Sequence, residues 1–300
     1  MYQDIMINKI KTGFIVSIFI LIITLIVYYI CTAYNLGASA IPIALAVSIV
    51  SAFSSYYFSD KMVLKMNGAR PATVEEDRKL VDILDGLMIS SGLKYRPKLY
   101  VMESDQPNAF ATGRNPKNAV ICVTTGLLNK MNYYELEGVV AHELSHIKNY
   151  DILLSAVVTV MVGFIVMVSD WVTRYMFWGR RGRSKSDREG GNAIILILGL
   201  IALILGPIFA KLMQLAVSRR REYLADATSV EFTRNPDGLI SALQKLDTDN
   251  TEFARANNAT AHMFIANPFK MSSNGKKRVR NLMSTHPPIS DRIEALRKLK

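Results

Sequence analysis

Only four histidines occur in this chain of 300 residues, and two of them flank a glutamate in the order His142-Glu-Leu-Ser-His146. Residues four apart on a helix project from one face about a turn apart, so both imidazoles reach one zinc ion. Glu143, next to the first of them, reaches a water on that metal without ligating it. The chemistry so specified is hydrolysis, in which the metal acidifies water and the carboxylate takes its proton. Two hydrogen-bonded core histidines are the plain alternative, but they give the intervening glutamate no evident place.

A zinc site of this kind needs a third protein ligand and keeps its fourth position for water. His262, His286, Glu222 and Asp226 are the candidates. Glu222 and Asp226 are themselves four apart, so one can bind metal while the other orients a ligating histidine. A solvated acidic pair beside Arg219–Arg221 is their structural alternative.

The elements that must hold these residues are legible in outline. Thr73-Val-Glu-Glu76 has the capping-box pattern, and Leu80, Ile83, Leu84, Leu87 and Met88 continue at helical spacing to Gly92, which predicts a helix of about 18 residues. Lys98–Met102 reads as a strand, and Ala109–Gly113 with Ala119–Thr124 as a hairpin around Arg-Asn-Pro-Lys-Asn. Asn132, with Glu135 three residues later, opens a helix through Leu136, Val139, Val140, Leu144 and Ile147, so the metal motif lies mid-helix. Ser218–Ala227 has no breaker and continues a helix; Asp237–Leu246 is another helix, Asn267–Arg280 a loop, and Ser290–Leu299 a closing helix.

Half of the residues are hydrophobic, and they come in blocks. Thr12 to Ser59 carries no charge, enough for two membrane-spanning helices of about 20 residues each, with a break at Asn35-Leu36-Gly37 and Pro42. Ile152–Ser169 and Gly190–Ala210 form two further uncharged blocks. Four segments follow: residues 1–59, a transmembrane hairpin; 60–151, the first part of a hydrolase domain; 152–217, a second apolar hairpin; and 218–300, the rest of that domain. The fold class is mainly α with a small β-sheet, a multi-pass membrane protein carrying a cytoplasmic zincin-like α+β domain.

Lys9 and Lys11 precede the first helix, and Lys61, Lys65 and Arg70 follow the second. The positive-inside bias therefore places the N-terminus and the site on the cytoplasmic side of the cell membrane. The tip of the second hairpin works against this bias, with Arg174, Arg180, Arg181, Arg183, Lys185 and Arg188 set against Asp187 and Glu189. The expectation is nonetheless that it spans, because metal ligation fixes only its ends and the first helices set orientation. A net charge of +11 reads as a basic face beside an anionic leaflet; no nucleic-acid motif accompanies it. Cys31 and Cys122 form no metal cluster or disulfide framework and read as buried thiols.

Taken together, His142-Glu-Leu-Ser-His146 with Asn149 and Asp151, Ser218-Arg-Arg-Arg-Glu222-Tyr-Leu-Ala-Asp226, Asn108-Ala-Phe-Ala-Thr-Gly113 and His286-Pro-Pro288 resemble the HtpX-type membrane zinc metalloproteases. The likeness covers almost the whole chain, including the order of the apolar blocks. It implies a zinc endopeptidase with one ion per chain, Glu222 as third ligand, Asp226 supporting a ligating histidine, and Glu143 as general base. It also implies that His286 and Arg292 face the site and stabilise the oxyanion, and that Asn108, Ala109, Phe110 and Ala111 lie along the cleft and pair with substrate backbone. His262 is left as a structural or surface residue. Implied partners are protein substrates, chiefly misfolded or damaged membrane proteins in stress-related quality control, and the bilayer; oligomeric state is not implied. A CAAX-type prenyl protein protease shares the constellation, and a non-enzymatic membrane scaffold with a structural zinc site is the alternative from a different class.

Overall fold

In the computed structural model of the chain, residues 2–33, 37–75, 77–161, 219–251, 260–266 and 287–300 are described. Two long helices come first, α1 (Tyr2–Ala33) and α2 (Ala40–Met66). They pack side by side, and Thr24 and Ser48 share a hydroxyl hydrogen bond of 2.7 Å between them. Both hydroxyls also reach carbonyls of their own helices, Ile20 and Ala44. Neither of these two hydroxyls therefore needs water.

By length and composition, no single helix among the described residues is long and apolar enough to cross a membrane. The apolar part of α1 is Ile10–Leu25, while Ala40–Ser54 and Tyr56–Met66 of α2 reach a span together across a bend of 63°. Over the stretch expected to form a hairpin, 1–59, α1 and α2 lie side by side, and α2 runs on to Met66. Of the second hairpin, α6 (Asp151–Met161) is described; the rest of 152–217, with its basic tip, lies outside the described residues.

The sheet has the order β1-β2-β4-β3, with β1 (Arg70–Pro71), β2 (Lys98–Met102), β3 (Ala109–Gly113) and β4 (Ala119–Thr124). β3 and β4 form the expected antiparallel hairpin, β2 runs parallel to β4, and β1 adds an antiparallel pair. Side chains sort by the two-residue period. Leu99, Val101, Ala109, Ala111, Ile121 and Val123 join the main core, whereas Met102, Phe110, Val120 and Cys122 pack on Val63 and Leu64 of α2 with Met263 and Phe264. Burial on both faces explains why β3 and β4 read as unbroken apolar runs.

Below the sheet lie α3 (Arg78–Ser91), α4 (Thr125–Lys130), α5 (Tyr133–Lys148), α7 (Arg219–Thr233), α8 (Pro236–Thr248) and α9 (Ile289–Arg297). The expected helix start at Thr73 is corrected: α3 begins at Arg78 and has 14 residues. The Asp77 carboxylate accepts the Thr73 N–H at 3.1 Å and pairs with Arg70, closing a turn where a helix would otherwise begin. The capping box at Asn132 forms as expected, with Asn132 Oδ1 accepting the Glu135 N–H at 3.0 Å and Glu135 Oε2 accepting the Asn132 N–H at 2.8 Å. Gly138 lets α5 touch α8, since a Cβ there would meet the Leu239 nitrogen at 2.8 Å. Both cysteines are buried and free.

Candidate metal centre

Helix α5 supplies His142 and Glu143, both buried, and the partly exposed His146, and α7 brings Glu222 and Asp226 against them. His142 Nε2 and His146 Nε2 lie 3.2 Å apart. Glu222 places Oε2 at 3.7 Å from the first and Oε1 at 3.6 Å from the second. Ligands about 2.0–2.2 Å from a tetrahedral zinc stand roughly 3.3–3.5 Å from one another, so the donor set fits this metal with little adjustment. Three donors from three residues converge within 4.8 Å, and no other such group occurs among the described residues.

Each histidine is held from behind by a carboxylate. His142 Nδ1 lies 3.0 Å from Asp226 Oδ1, and His146 Nδ1 lies 3.0 Å from Asp151 Oδ2. Donation from Nδ1 to these carboxylates leaves Nε2 of each ring aimed at the metal position, where a bound metal would take the place of any proton on it. Burial lowers the His142 pKa below its usual range despite the Asp226 bond, so this ring is ready to ligate as the neutral form. Burial also opposes a charged His146, but the Asp151 bond and the carboxylates of Glu222, Asp151 and Glu143 outweigh it and push the ring up to about 9. The pocket without metal is therefore one that attracts a cation.

Arg292 stands behind the first metal-binding histidine. Its side chain is fully buried, and its Nε and Nη2 grip Asp226 at 2.9 and 2.7 Å while Nη1 donates to the Ile265 carbonyl at 3.3 Å. The guanidinium thus supports His142 through Asp226, and its Nη1 also lies 4.0 Å from Glu222 Oε2. Burial alone would raise the Asp226 carboxyl, but Arg292 draws it down to about 2. His286 lies outside the described residues. His262 is buried beside Thr159, its Nε2 at 3.4 Å from that hydroxyl, and takes no part in the metal group.

The expected cleft strand is only partly available. Asn108, Ala109, Phe110 and Ala111 are all buried. Asn108 exchanges two hydrogen bonds with Ala266, and the Ala109 carbonyl accepts the Ile265 N–H at 3.0 Å. Phe110 faces away into the second core, edge-on to Phe264. A chain stretch more than 150 positions downstream thus covers the start of β3. Ile265 and Ala266 act through their backbones, which leaves no mark in side-chain type or spacing.

The model of peptidase family M48 matches residues 75–300. The chain is 42% identical over 298 residues to a "Protease HtpX homolog" of Dictyoglomus thermophilum, covering 99% of this chain and 94% of the relative. Homologues of the same description from Caldanaerobacter subterraneus subsp. tengcongensis and Streptococcus gordonii are 45% and 41% identical, covering 97% and 100% of this chain and 95% and 100% of the relatives. The crystal structure of S. mikatae Ste24p shares the fold at a TM-score of 0.52 and 18% identity, over 97% of this chain and 65% of that one. A His-Glu-x-x-His helix joined by a distant glutamate, in a chain so similar throughout to these proteases, shows that the protein belongs to peptidase family M48 as an HtpX-type membrane zinc endopeptidase.

Proposed function

We propose that the chain works as a multi-pass membrane enzyme with its site on the cytoplasmic face, cutting unfolded or damaged membrane proteins. One observation carries this reading. Helix α6 starts five residues after His146, and Leu153, Leu154, Val157, Val158 and Met161 pack with Ile15, Phe19 and Ile23 of α1 and Ala52 of α2. The metal centre therefore sits at the root of an apolar helix cluster whose outer surface exposes Phe14, Leu21, Ile49, Val50 and Phe53. A contiguous apolar surface of this kind favours lipid over water.

His142, His146 and Glu222 would hold the zinc; when bound, it supplies Lewis acidity that activates water and polarises a peptide carbonyl. Glu143 takes the proton from the attacking water and returns it to the leaving amine. Asp226 and Arg292 keep the His142 ring in its ligating tautomer. Substrate backbone adds to the outward edge of β3. Because Asn108 and Ala109 are engaged by Ala266 and Ile265, that pairing falls on Ala111 and Gly113, the next outward-facing residues of the strand.

The test uses detergent-purified full-length protein with stoichiometric zinc, an unfolded membrane protein as substrate, and a prenylated peptide in parallel. Glu143→Gln keeps zinc and loses cleavage by a factor of about 100 or more. Wild-type rates from that variant would remove Glu143 from its role. Cleavage confined to the prenylated peptide would replace the proposed substrate class.

A further inference from the structure

Asp151 follows directly on the metal helix, and its acidic side chain at the start of α6 is the kind of residue that caps helices. The geometry points to a second role: we propose that Asp151 is the positioning residue of His146, tying the second metal ligand to the apolar helix cluster. Had α5 continued without a break, residue 151 would stand five positions past His146, turned about 140° away from it. The helix stops instead at Lys148. Asn149 closes it through a bond to the Ser145 carbonyl at 3.0 Å, and Tyr150 takes a left-handed φ of 60°.

For a non-glycine residue that conformation costs roughly 1–2 kcal/mol. Its result is that Asp151 comes back over the end of α5, with Oδ2 3.0 Å from His146 Nδ1. The other oxygen, Oδ1, lies 3.5 Å from Arg221 Nη1, next in sequence to the ligand Glu222. One carboxylate, on the first residue of α6, therefore touches the second ligand and the neighbour of the third. Asp226 performs the matching service for His142 entirely within the protease core. The two ligand histidines are thus aligned from different helices, α7 and α6, and only His146 depends on the one that enters the apolar cluster.

The inference rests on the metal reading of His142, His146 and Glu222. Zinc-free full-length protein in detergent is titrated with zinc against a chromophoric chelator, comparing wild type with Asp151→Ser and Asp151→Asn. Both variants lose the Asp151 contacts to His146 and Arg221, so the zinc-free proteins unfold earlier than wild type, and zinc affinities are compared at a temperature where circular dichroism shows all three folded. Zinc affinity falls roughly 10–100-fold in Asp151→Ser and less in Asp151→Asn. At limiting zinc, kcat drops with KM unchanged, and excess zinc restores it. Equal zinc affinity in folded Asp151→Ser and folded wild type overturns the inference and leaves Asp151 a residue of the fold alone. Failure of wild type itself to bind zinc would strike the metal reading instead.

Discussion

Arg292 holds Asp226 with two guanidinium bonds behind His142, and its Nη1 stands 4.0 Å from the ligand Glu222. Removing one partner of a buried ion pair leaves the other uncompensated, at a cost of about 3–5 kcal/mol. Arg292→Gln is therefore expected to destabilise the protein by that order and to weaken zinc binding roughly 10–100-fold, read by thermal unfolding and chelator competition. An oxyanion role predicts the opposite pattern, with kcat lowered and zinc affinity intact. His142, Glu143 and His146 were legible because their relation is local, one helical turn. The Glu222–Asp226 pair was legible for the same reason. Which histidine Asp226 serves, and that Arg292 clamps it from 66 positions away, depends on how α7 and α9 dock on α5, and no local spacing encodes that.

Glu135 connects two elements and carries the pH dependence of their joint. It caps α5 at Asn132, and from α8 it receives Ser241 Oγ and Lys245 Nζ, each at 2.6 Å. Burial pushes its carboxyl upward, but the bonds from Lys245, Ser241 and Asn132 prevail and hold it below the usual value of 4.5. A depressed folded-state pKa means stability that is fully present above the unfolded pKa and lost as pH falls through the folded one. Glu135→Gln should then cost about 1–2 kcal/mol at neutral pH, the half-exposed lysine contributing the smaller share. The gap to wild type closes below about pH 4; a denaturant series in which it persists undiminished at pH 3 would contradict the assignment. Elements governed by short periods were read well from sequence, as β2, β3, β4 and α5 show. The start of α3 was not, because Asp77 turns back to bind Thr73 and Arg70 across a loop that resembles a cap. Nor was β1, whose two residues are a strand only through their pairing with Tyr100 and Val101.

At the scale of the whole molecule the charge pattern and the packing make one claim about orientation. Cations flank α1 and α2 at their outer ends, the link at Gly37–Ser39 has none, and the protease core continues from the α2 end through Val63 and Leu64 against the sheet. The proposed orientation, with that core in the cytoplasm and the link outside, is the one the positive-inside bias predicts. Cysteine labelling reads this directly, because both native thiols are buried and burial pushes the Cys122 thiol up, away from the reactive thiolate. With a membrane-impermeant maleimide on intact cells, Ser39→Cys in the link should label at once, and Ser90→Cys on α3 only after the membrane is opened. Ser184→Cys, in the basic tip, reports on the second hairpin: labelling on intact cells is the outcome for a spanning hairpin, and labelling only after lysis sinks it. Reversed behaviour at Ser39 and Ser90 would turn the enzyme over and move its site to the outer face. Equal labelling of those two on intact cells would mean that α1 and α2 do not separate two compartments at all.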